Sequence, residues 1–221
     1  MRTASSPSIE VSAEASPHAA HTTPLHLAHT TLATPVGALQ LFASERGLLT
    51  IALPNESREE AIRRLEHAHG PLAITEWTGE QDELSAGAAP TVADAAARAT
   101  AILALAVSEL RAYFTDRSAA QGCFTVPLDL RGTSFQRQAW LAVADIPSGA
   151  TRTYSEIAQM IGRPAAVRAV GAANGANPLP IIIPCHRVIG ADGTLTGYGG
   201  GLPMKRWLLD HEGVTLATAP R

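Results

Sequence analysis

The segment from Asn177 to Val188 constrains this chain more than any other. It reads Asn-Pro-Leu-Pro-Ile-Ile-Ile-Pro-Cys-His-Arg-Val, so an apolar run ends at a proline that is followed by a cysteine and a histidine. Neighbouring side chains of a regular strand point in opposite directions, so Cys185 and His186 can act together only at a bend or through a water molecule. Pro184 favours a bend, which we therefore expect at the cysteine.

Two interpretations of Cys185 are open from these residues alone. A cysteine beside a histidine suggests a nucleophile, because the thiolate is the reactive form. About 3% of a free thiol is ionised at neutral pH, and half-ionisation needs roughly 2 kcal/mol of thiolate stabilisation, which a histidine with an acidic partner can supply. The other interpretation is an inert thiol, since a cysteine after three isoleucines is most often simply buried.

The composition bounds the kinds of protein that can carry this segment. The 221 residues allow one large domain or two small ones, and 46% hydrophobic with 17% charged residues allows a packed core. The apolar runs are too short to span a membrane, two cysteines cannot make a disulfide framework, and the N-terminus has no secretory signal pattern. A reducing cytoplasm is therefore the expected location.

The charge is distributed unevenly. Residues 1–130 have 8 basic and 15 acidic side chains, a net of −7, whereas residues 131–221 have 9 and 5, a net of +4. A basic C-terminal half is compatible with a surface for a polyanion.

The N-terminal half predicts strands before helices. Residues 1–24 are rich in Ser, Thr, Ala, Pro and His and are expected to be a disordered leader. Three strands of an antiparallel meander follow, then a helix that Ser57 opens with Glu60 in capping-box spacing. The predicted ranges are strands at 25–32, 38–43 and 48–53, a helix to 69, a strand at 72–77 and a loop at 78–90.

The rest of the chain predicts mainly helices. A helix is expected over 92–114 with Leu105 among its apolar positions, a strand over 124–130, and a helix through Ala144 capped by Ser134. A helix from Thr153 or Tyr154 to about Ile161 and another over 164–174 are separated by a glycine-containing turn, which suggests a helix-turn-helix. The second of these presents Arg168 among small residues, which suit either close approach to a partner or tight packing on a neighbouring helix.

Three further motifs accompany Pro184-Cys185-His186-Arg187-Val188. They are Asn177-Pro178, Gly197-Tyr198-Gly199-Gly200-Gly201 and Trp207-Leu208-Leu209-Asp210-His211-Glu212-Gly213. Together these motifs resemble the O6-alkylguanine-DNA alkyltransferases. The resemblance covers roughly Leu25 to Gly213 in layout and is dense from Gly132 to Gly213.

The resemblance implies an α/β fold with two domains. A small N-terminal α/β domain, residues 25–130, would contain an antiparallel sheet of the ribonuclease H-like kind. A mostly helical C-terminal domain, residues 131–213, would contain a winged helix-turn-helix-like DNA-binding unit, with a tail at 214–221.

The activity implied is DNA repair that occurs once per molecule. The protein would flip O6-alkylguanine, and O4-alkylthymine by the same resemblance, out of double-stranded DNA and move the alkyl group to its own Cys185. It would act as a monomer without a cofactor. No zinc is expected, because Cys123 is the only other cysteine, and the histidines His18, His21, His26 and His29 lack patterned partners.

The resemblance also implies a role for each site residue. Cys185 would accept the alkyl group, His186 would take the thiol proton through a water, and Glu212 would orient and charge that histidine. Asn177 would brace the turn, and Tyr154 would donate a proton to the leaving guanine. Arg168 would enter the base stack in place of the flipped base. Ala165, Ala166, Ala169, Gly171 and Arg163 would lie along the minor groove, and Val188, Tyr198, Gly199 and Gly200 would frame the base.

Simpler interpretations accompany these roles. Tyr154 would pack its ring and cap a helix, Arg168 would be a solvated charge, and Glu212 would cap the last helix. Two other functions also compete. A non-catalytic binder of damaged DNA is disfavoured because its relatives lack the cysteine, and a thiol hydrolase is disfavoured because it needs an oxyanion hole and usually a histidine distant in sequence. The Thr196-Gly197-Tyr198-Gly199 loop, where some relatives have a serine, leaves the range of alkyl groups open.

Overall fold

The structure is a computed structural model that describes residues 23–79, 92–115 and 124–214. Almost all of the predicted leader, residues 80–91, Cys123 and the tail from 215 lie outside the described residues. The described chain has a mixed α/β fold and divides into two compact units. The N-terminal unit contains the described residues up to 111 together with 124–131, and the C-terminal unit contains 112–115 and 132–214.

A four-stranded sheet forms the base of the N-terminal unit. Its strands are β1 (Leu25–Thr34), β2 (Gly37–Ser44), β3 (Gly47–Ala52) and β4 (Leu72–Glu76), in the order β3-β2-β1-β4. The predicted antiparallel meander is confirmed for β1 to β3, but β4 pairs in parallel with β1, so the prediction of an antiparallel sheet is wrong at this edge. The cause is the helix that follows β3, because it supplies the crossover that a parallel pair requires.

That helix is α1 (Arg58–His69), and its predicted start is confirmed. The Ser57 side chain accepts from the Glu60 backbone N–H, while the Glu60 side chain accepts from the Ser57 N–H at 2.8 Å. Ala61 and Leu65 on one face of α1 pack with Leu27 and Phe42 of the sheet. Apolar burial between helix and sheet is what stabilises this layer.

The long helix α2 (Val92–Thr115) confirms the predicted one, with a different apolar face. Leu105 is 39% exposed, whereas Leu103, Val107 and Leu110 are buried. Residues two apart on a helix lie about 200° apart around its axis, so Leu105 points away when Leu103 points inward.

The predicted strand at 124–130 is wrong. Only Leu128 bridges to a strand, through bonds in which Leu48 N–H donates to the Pro127 carbonyl and Asp129 N–H donates to the Leu48 carbonyl. Pro127 has no N–H, and the N–H groups of Thr125 and Val126 donate to the carboxylate of Glu109 instead. The backbone donors that a longer ladder needs are therefore used elsewhere.

The C-terminal unit is mostly helical. Its helices are α3 (Ser134–Ala144), α4 (Tyr154–Met160), α5 (Val167–Gly175) and α6 (Gly201–His211), with a parallel pair of short strands, β5 (Arg152–Thr153) and β6 (Val188–Ile189). The predicted helix over 164–174 begins as a 3-10 turn, Pro164–Ala166, before α5. Among the described residues, none of the helices is long and apolar enough to cross a membrane.

Trp140 anchors α3 to α5. Its ring is buried and its indole N–H donates to the Ala173 carbonyl at 2.7 Å. Val143 is buried as predicted, but Phe135 and Leu141 are only half-buried. The cap of α3 is Thr133 rather than the predicted Ser134, because Thr133 has the extended backbone of a cap and its hydroxyl accepts from Gln136 N–H at 3.2 Å.

Replacing Thr133 by alanine should lower the free energy of unfolding by about 1 kcal/mol, because the cap hydrogen bond is lost. Ser134→Ala is the matched control and should leave stability nearly unchanged, since Ser134 is the exposed first helical residue. Urea denaturation of both variants measures the difference. An equal loss of stability in the two variants would contradict the assignment of Thr133 as the cap.

Candidate active site

Cys185 lies on a rigid, buried turn. Residues 179–188 are all buried, and Cys185–Arg187 form a single 3-10 turn, so the expected bend is present. Ile183 N–H donates to the Leu179 carbonyl at 2.8 Å and Cys185 N–H to the Ile183 carbonyl at 2.7 Å. Ile181 has a φ of 79°, which is unusual for a β-branched residue, so its flanking bonds hold the turn in a strained conformation.

Two asparagines support this turn. The Asn177 amide donates to the Ile183 carbonyl at 2.8 Å, and its oxygen accepts from Leu179 N–H at 3.0 Å, which fits the predicted bracing role. The Asn174 amide, at the end of α5, donates to the Cys185 carbonyl at 3.4 Å. The buried Asn174 side-chain oxygen has no hydrogen-bond partner among the residues that the structure describes. Asn174 was not predicted, because only its place in the tertiary structure distinguishes it from other helical residues.

A buried carboxylate gathers the charged groups of the site. Glu212 directly follows α6, and its Oε1 accepts from His186 Nε2 at 2.8 Å. Arg187 donates to both oxygens of Glu212, from Nε at 2.8 Å and Nη2 at 2.9 Å, and the Tyr113 hydroxyl donates to Oε1 at 2.7 Å. The predicted His186–Glu212 pair is therefore present. Glu212 is also the C-cap residue of α6, through its backbone N–H, while its side chain serves the charged cluster.

Arg187 and Tyr113 were missed by sequence reasoning. Arg187 was part of the recognised motif, but only the folded chain pairs it with Glu212. Tyr113 is about a hundred residues from Glu212 in sequence, and nothing in its local pattern indicates that partner.

The electrostatics favour a neutral cysteine and a neutral histidine at rest. Burial raises the pKa of Cys185, although a hydrogen bond from Asn177 and the charge of Lys205 oppose this rise. Burial lowers the pKa of His186, against the effect of Glu212, which raises it. The thiolate stabilisation that a histidine with an acidic partner can supply is therefore opposed by the removal of both side chains from water. Among the described residues, buried His186 Nδ1 has no hydrogen-bond partner.

Lys205 is a buried cation beside this site. Its Nζ donates to the Val188 carbonyl at 2.6 Å and to the Thr196 carbonyl at 3.3 Å. Burial lowers the pKa of Lys205 to about 8, so the ammonium is mostly protonated at neutral pH. It was missed in the sequence, although it is the single lysine among the 17 basic residues.

The side chains predicted to contact the base lie on three neighbouring segments. Tyr154, the first residue of α4, has its hydroxyl 2.9 Å from Thr196 Oγ1, and its ring lies beside Gly171. Tyr198 is half-buried with its ring edge-on to His186, and its buried hydroxyl has no hydrogen-bond partner within the described ranges. The Val188 carbonyl is engaged by Lys205, whereas Gly199 is exposed and Gly200 precedes α6.

The helix pair α4–α5 presents a basic, small-residue face. Arg163, Ala165, Arg168 and Ala169 are exposed, and Ala166 and Gly171 are half-buried. Tight helix packing therefore explains Ala173, which is buried, but not the exposed alanines. Arg168 and Asn174 are six residues apart on α5, so about 9 Å of helix connects the exposed arginine to the residue that contacts the Cys185 backbone.

The described residues include no group of three or more histidine, cysteine or acidic side chains placed to hold a metal ion. His29 is buried and bonds to Glu76 and Gln40 in the N-terminal unit. His18 and His21 lie outside the described residues.

The helical unit thus contains a buried cysteine, followed by a histidine that is paired with a glutamate, as expected for a class of protein that uses a thiol. Comparisons with known proteins specify the family. The sequence model of the 6-O-methylguanine DNA methyltransferase DNA-binding domain matches residues 134–214. The methylated-DNA–protein-cysteine methyltransferase of Mycobacterium tuberculosis is 43% identical over 182 residues, which are 82% of this chain and 90% of that protein. The chain belongs to the methylated-DNA–protein-cysteine methyltransferase family.

Solved structures agree with this assignment. The crystal structure of Mycobacterium tuberculosis OGT in complex with DNA matches with a TM-score of 0.62 and 39% identity, over 85% of this chain and 92% of that one. The O6-methylguanine-DNA methyltransferase of Pyrococcus kodakaraensis has the same fold at 21% identity and a TM-score of 0.53, covering 85% of this chain and 99% of that one.

The stability of the C-terminal unit should fall as the pH drops from about 4.5 towards 2. Burial alone would raise the pKa of Glu212, but hydrogen bonds from His186 and Arg187 lower it from 4.5 to about 2. The folded state therefore binds this proton less readily than the unfolded chain, and the ionised pair contributes on the order of 3 kcal/mol only above that range.

Urea denaturation at a series of pH values measures this dependence. Glu212→Gln should be less stable at neutral pH, since Arg187 loses a charged partner, but its stability should change less over the acidic range. The same acid slope in both proteins would contradict the assignment.

Proposed function

We propose that this protein repairs DNA by transferring the alkyl group of O6-alkylguanine, and of O4-alkylthymine, irreversibly to its own Cys185. The observation that carries the proposal is the buried turn on which Cys185 stands beside His186. The Nε2 atom of His186 is held by Glu212, while Nδ1 has no partner in the part of the chain that the structure describes. Membership of the alkyltransferase family supports the same chemistry.

The Cys185 thiol loses its proton in the step in which it attacks the alkyl group. The Cys185 proton passes through a water molecule to His186 Nδ1, and the Sγ electron pair attacks the alkyl carbon as the bond from that carbon to O6 breaks. Glu212 stays ionised because its pKa is about 2, so it stabilises the imidazolium without taking the proton. The buried ammonium of Lys205 adds a favourable charge for the thiolate.

The leaving guanine receives the electron pair of the broken bond. The Tyr154 hydroxyl donates a proton to a ring nitrogen of the base, which completes the neutral guanine, and the proton lost by Cys185 replaces it through solvent. Tyr198, Gly199, Gly200 and the Val188 segment frame the base. The product is a thioether, which water does not hydrolyse under ordinary conditions, so each molecule reacts once. Neither bond change requires a cofactor.

The α4–α5 pair is proposed to enter the minor groove as a helix-turn-helix. The exposed small residues Ala165 and Ala169 permit close approach to the backbone, while Ala166 and Gly171 lie at the edge of that face. Arg163 and the net charge of +4 over 131–221 favour a polyanion. Contacts with the DNA backbone do not depend on the base sequence, which suits a protein that must find damage at any position.

The finer classification of the fold belongs to the same proposal. We expect an N-terminal domain of ribonuclease H-like kind over 25–130 and a winged helix-turn-helix-like domain over 131–213. A monomer in a reducing cytoplasm stays a prediction.

Intact-mass measurement after incubation with duplex DNA containing O6-methylguanine tests the reaction. The protein should gain the mass of one methylene group, located on Cys185, in a stoichiometric amount. No adduct despite DNA binding would indicate a damage binder, and repeated turnover with hydrolysis would indicate a thiol hydrolase. Either result overturns the proposal.

Cys185→Ser should abolish transfer and leave DNA affinity within a few-fold, because one sulfur is replaced without changing the DNA-binding face. Cys123→Ser is the matched control and should react at nearly the rate of the unmodified protein. Loss of transfer in the control alone, with the fold preserved, would mean that the reactive sulfur is misassigned.

Arg168→Ala should slow repair of duplex DNA far more than the reaction with free O6-benzylguanine, which needs no flipping. A flipped base leaves a hole in the stack, and a planar cation fills it where alanine does not. Arg168→Lys should fall between the two, because it keeps the charge and loses the plane.

Arg206→Ala provides a control for the loss of one exposed positive charge, since Arg206 lies on α6 outside the helix pair. It should affect duplex DNA repair much less than Arg168→Ala does. If Arg168→Ala slows both substrates equally, Arg168 supports the fold or the thiol and is not the intercalating residue.

A further inference from the structure

The hydroxyl of Tyr113 is a buried contact of the site that the reaction steps above do not use. Tyr113 stands near the end of α2, is 2% exposed, and donates to Glu212 Oε1 at 2.7 Å. This is the same oxygen that accepts from His186 Nε2. Tyr113 is therefore one residue removed from the histidine that receives the thiol proton.

The two carboxylate oxygens of Glu212 accept different numbers of hydrogen bonds. Oε1 accepts from His186, from Tyr113 and from Arg187 Nη2, whereas Oε2 accepts from Arg187 Nε. Arg187 fixes the plane of the carboxylate through a bidentate pair. Tyr113 approaches the oxygen shared with His186, so it affects how strongly that oxygen attracts the imidazole proton.

Tyr113 itself is held firmly. Its ring packs edge-on against Phe114 at 5.1 Å and against His211 at 5.3 Å between ring centres. Its backbone carbonyl accepts from His211 Nε2 at 2.7 Å. The hydroxyl and the backbone carbonyl of Tyr113 thus bond to consecutive residues at the end of α6, which gives the hydroxyl a fixed position.

We propose that Tyr113 is a positioning residue for alkyl transfer, and that its hydroxyl sets the orientation and the hydrogen-bonding strength of the Glu212 carboxylate that holds His186. The proposal rests on the proposed function of Cys185 and His186. In this role Tyr113 acts on His186 only through Glu212.

The proposal predicts in which direction the pH dependence of the transfer rate changes when the hydroxyl is removed. A buried carboxylate that loses one donor concentrates its charge on the remaining ones, so His186 should become easier to protonate without the hydroxyl. His186 must be neutral to accept the thiol proton. As the pH is lowered, the transfer rate of the variant should therefore begin to fall at a higher pH than the rate of the unmodified protein. The charged and titratable groups that face His186 are Glu212, Arg187, Lys205, Cys185 and Tyr198. The Tyr113→Phe substitution keeps all five side chains and removes only the hydroxyl that bonds to Glu212.

The test is the single-turnover rate of Tyr113→Phe, measured by intact mass over a series of pH values. The acidic limb should move to higher pH by about half a unit to one unit, and the plateau rate should fall about 3- to 10-fold as His186 loses its fixed orientation. Phe114→Leu is the control, because it loosens the same aromatic cluster without touching Glu212. It should lower the melting temperature and leave the pH profile in place.

Nitrogen-15 NMR titration of His186 gives a second measurement that does not depend on transfer. Its midpoint should rise in Tyr113→Phe, and this rise should vanish in the Glu212→Gln background, where the carboxylate is absent. An unchanged midpoint and an unchanged profile in Tyr113→Phe would reduce Tyr113 to a packing residue and overturn the proposal. If the unmodified protein gains no adduct on Cys185, the proposed function fails, and the titration still shows whether Tyr113 acts on His186.

Discussion

The site depends on the hydrogen bonds and ion pairs that surround the buried carboxylate of Glu212. A charge this far from water is tolerated only if donors surround it, and here His186, Arg187 and Tyr113 supply them. Those partners come from the cysteine turn and from the end of α2, so the carboxylate joins segments that are distant in sequence. Removing it would leave Arg187 buried with no charged partner.

This arrangement suits a group that reacts once. Burial raises the pKa of Cys185 and lowers the pKa of His186, so it favours the neutral form of both side chains and limits reaction of the thiol with other compounds. The strained backbone at Ile181 and the bonds from Asn177 hold the sulfur in position before substrate arrives. Little reorganisation is then needed when transfer occurs.

Much of the local structure was predictable because its signals are local. Ser57 and Glu60 specified the start of α1, and the turns near Gly37 and Gly47 specified the meander. The failures share a physical origin in longer-range effects. The parallel strand β4 depends on the path of α1, and the segment 124–130 loses its donors to Glu109. The thiol pKa depends on burial, which the three isoleucines before Cys185 indicated only as one of two interpretations.

The sequence by itself determined the family and the cysteine–histidine pair that we propose as reactive, because the motif from Pro184 to Val188 and the glutamate at 212 occur together at one spacing. Only the tertiary structure decided which groups surround that pair. Arg187, Tyr113, Lys205 and Asn174 resemble many other arginines, tyrosines, lysines and asparagines in a sequence. Their roles come from distances of a few ångströms between residues far apart in the chain, and electrostatic effects act over those distances rather than along the backbone.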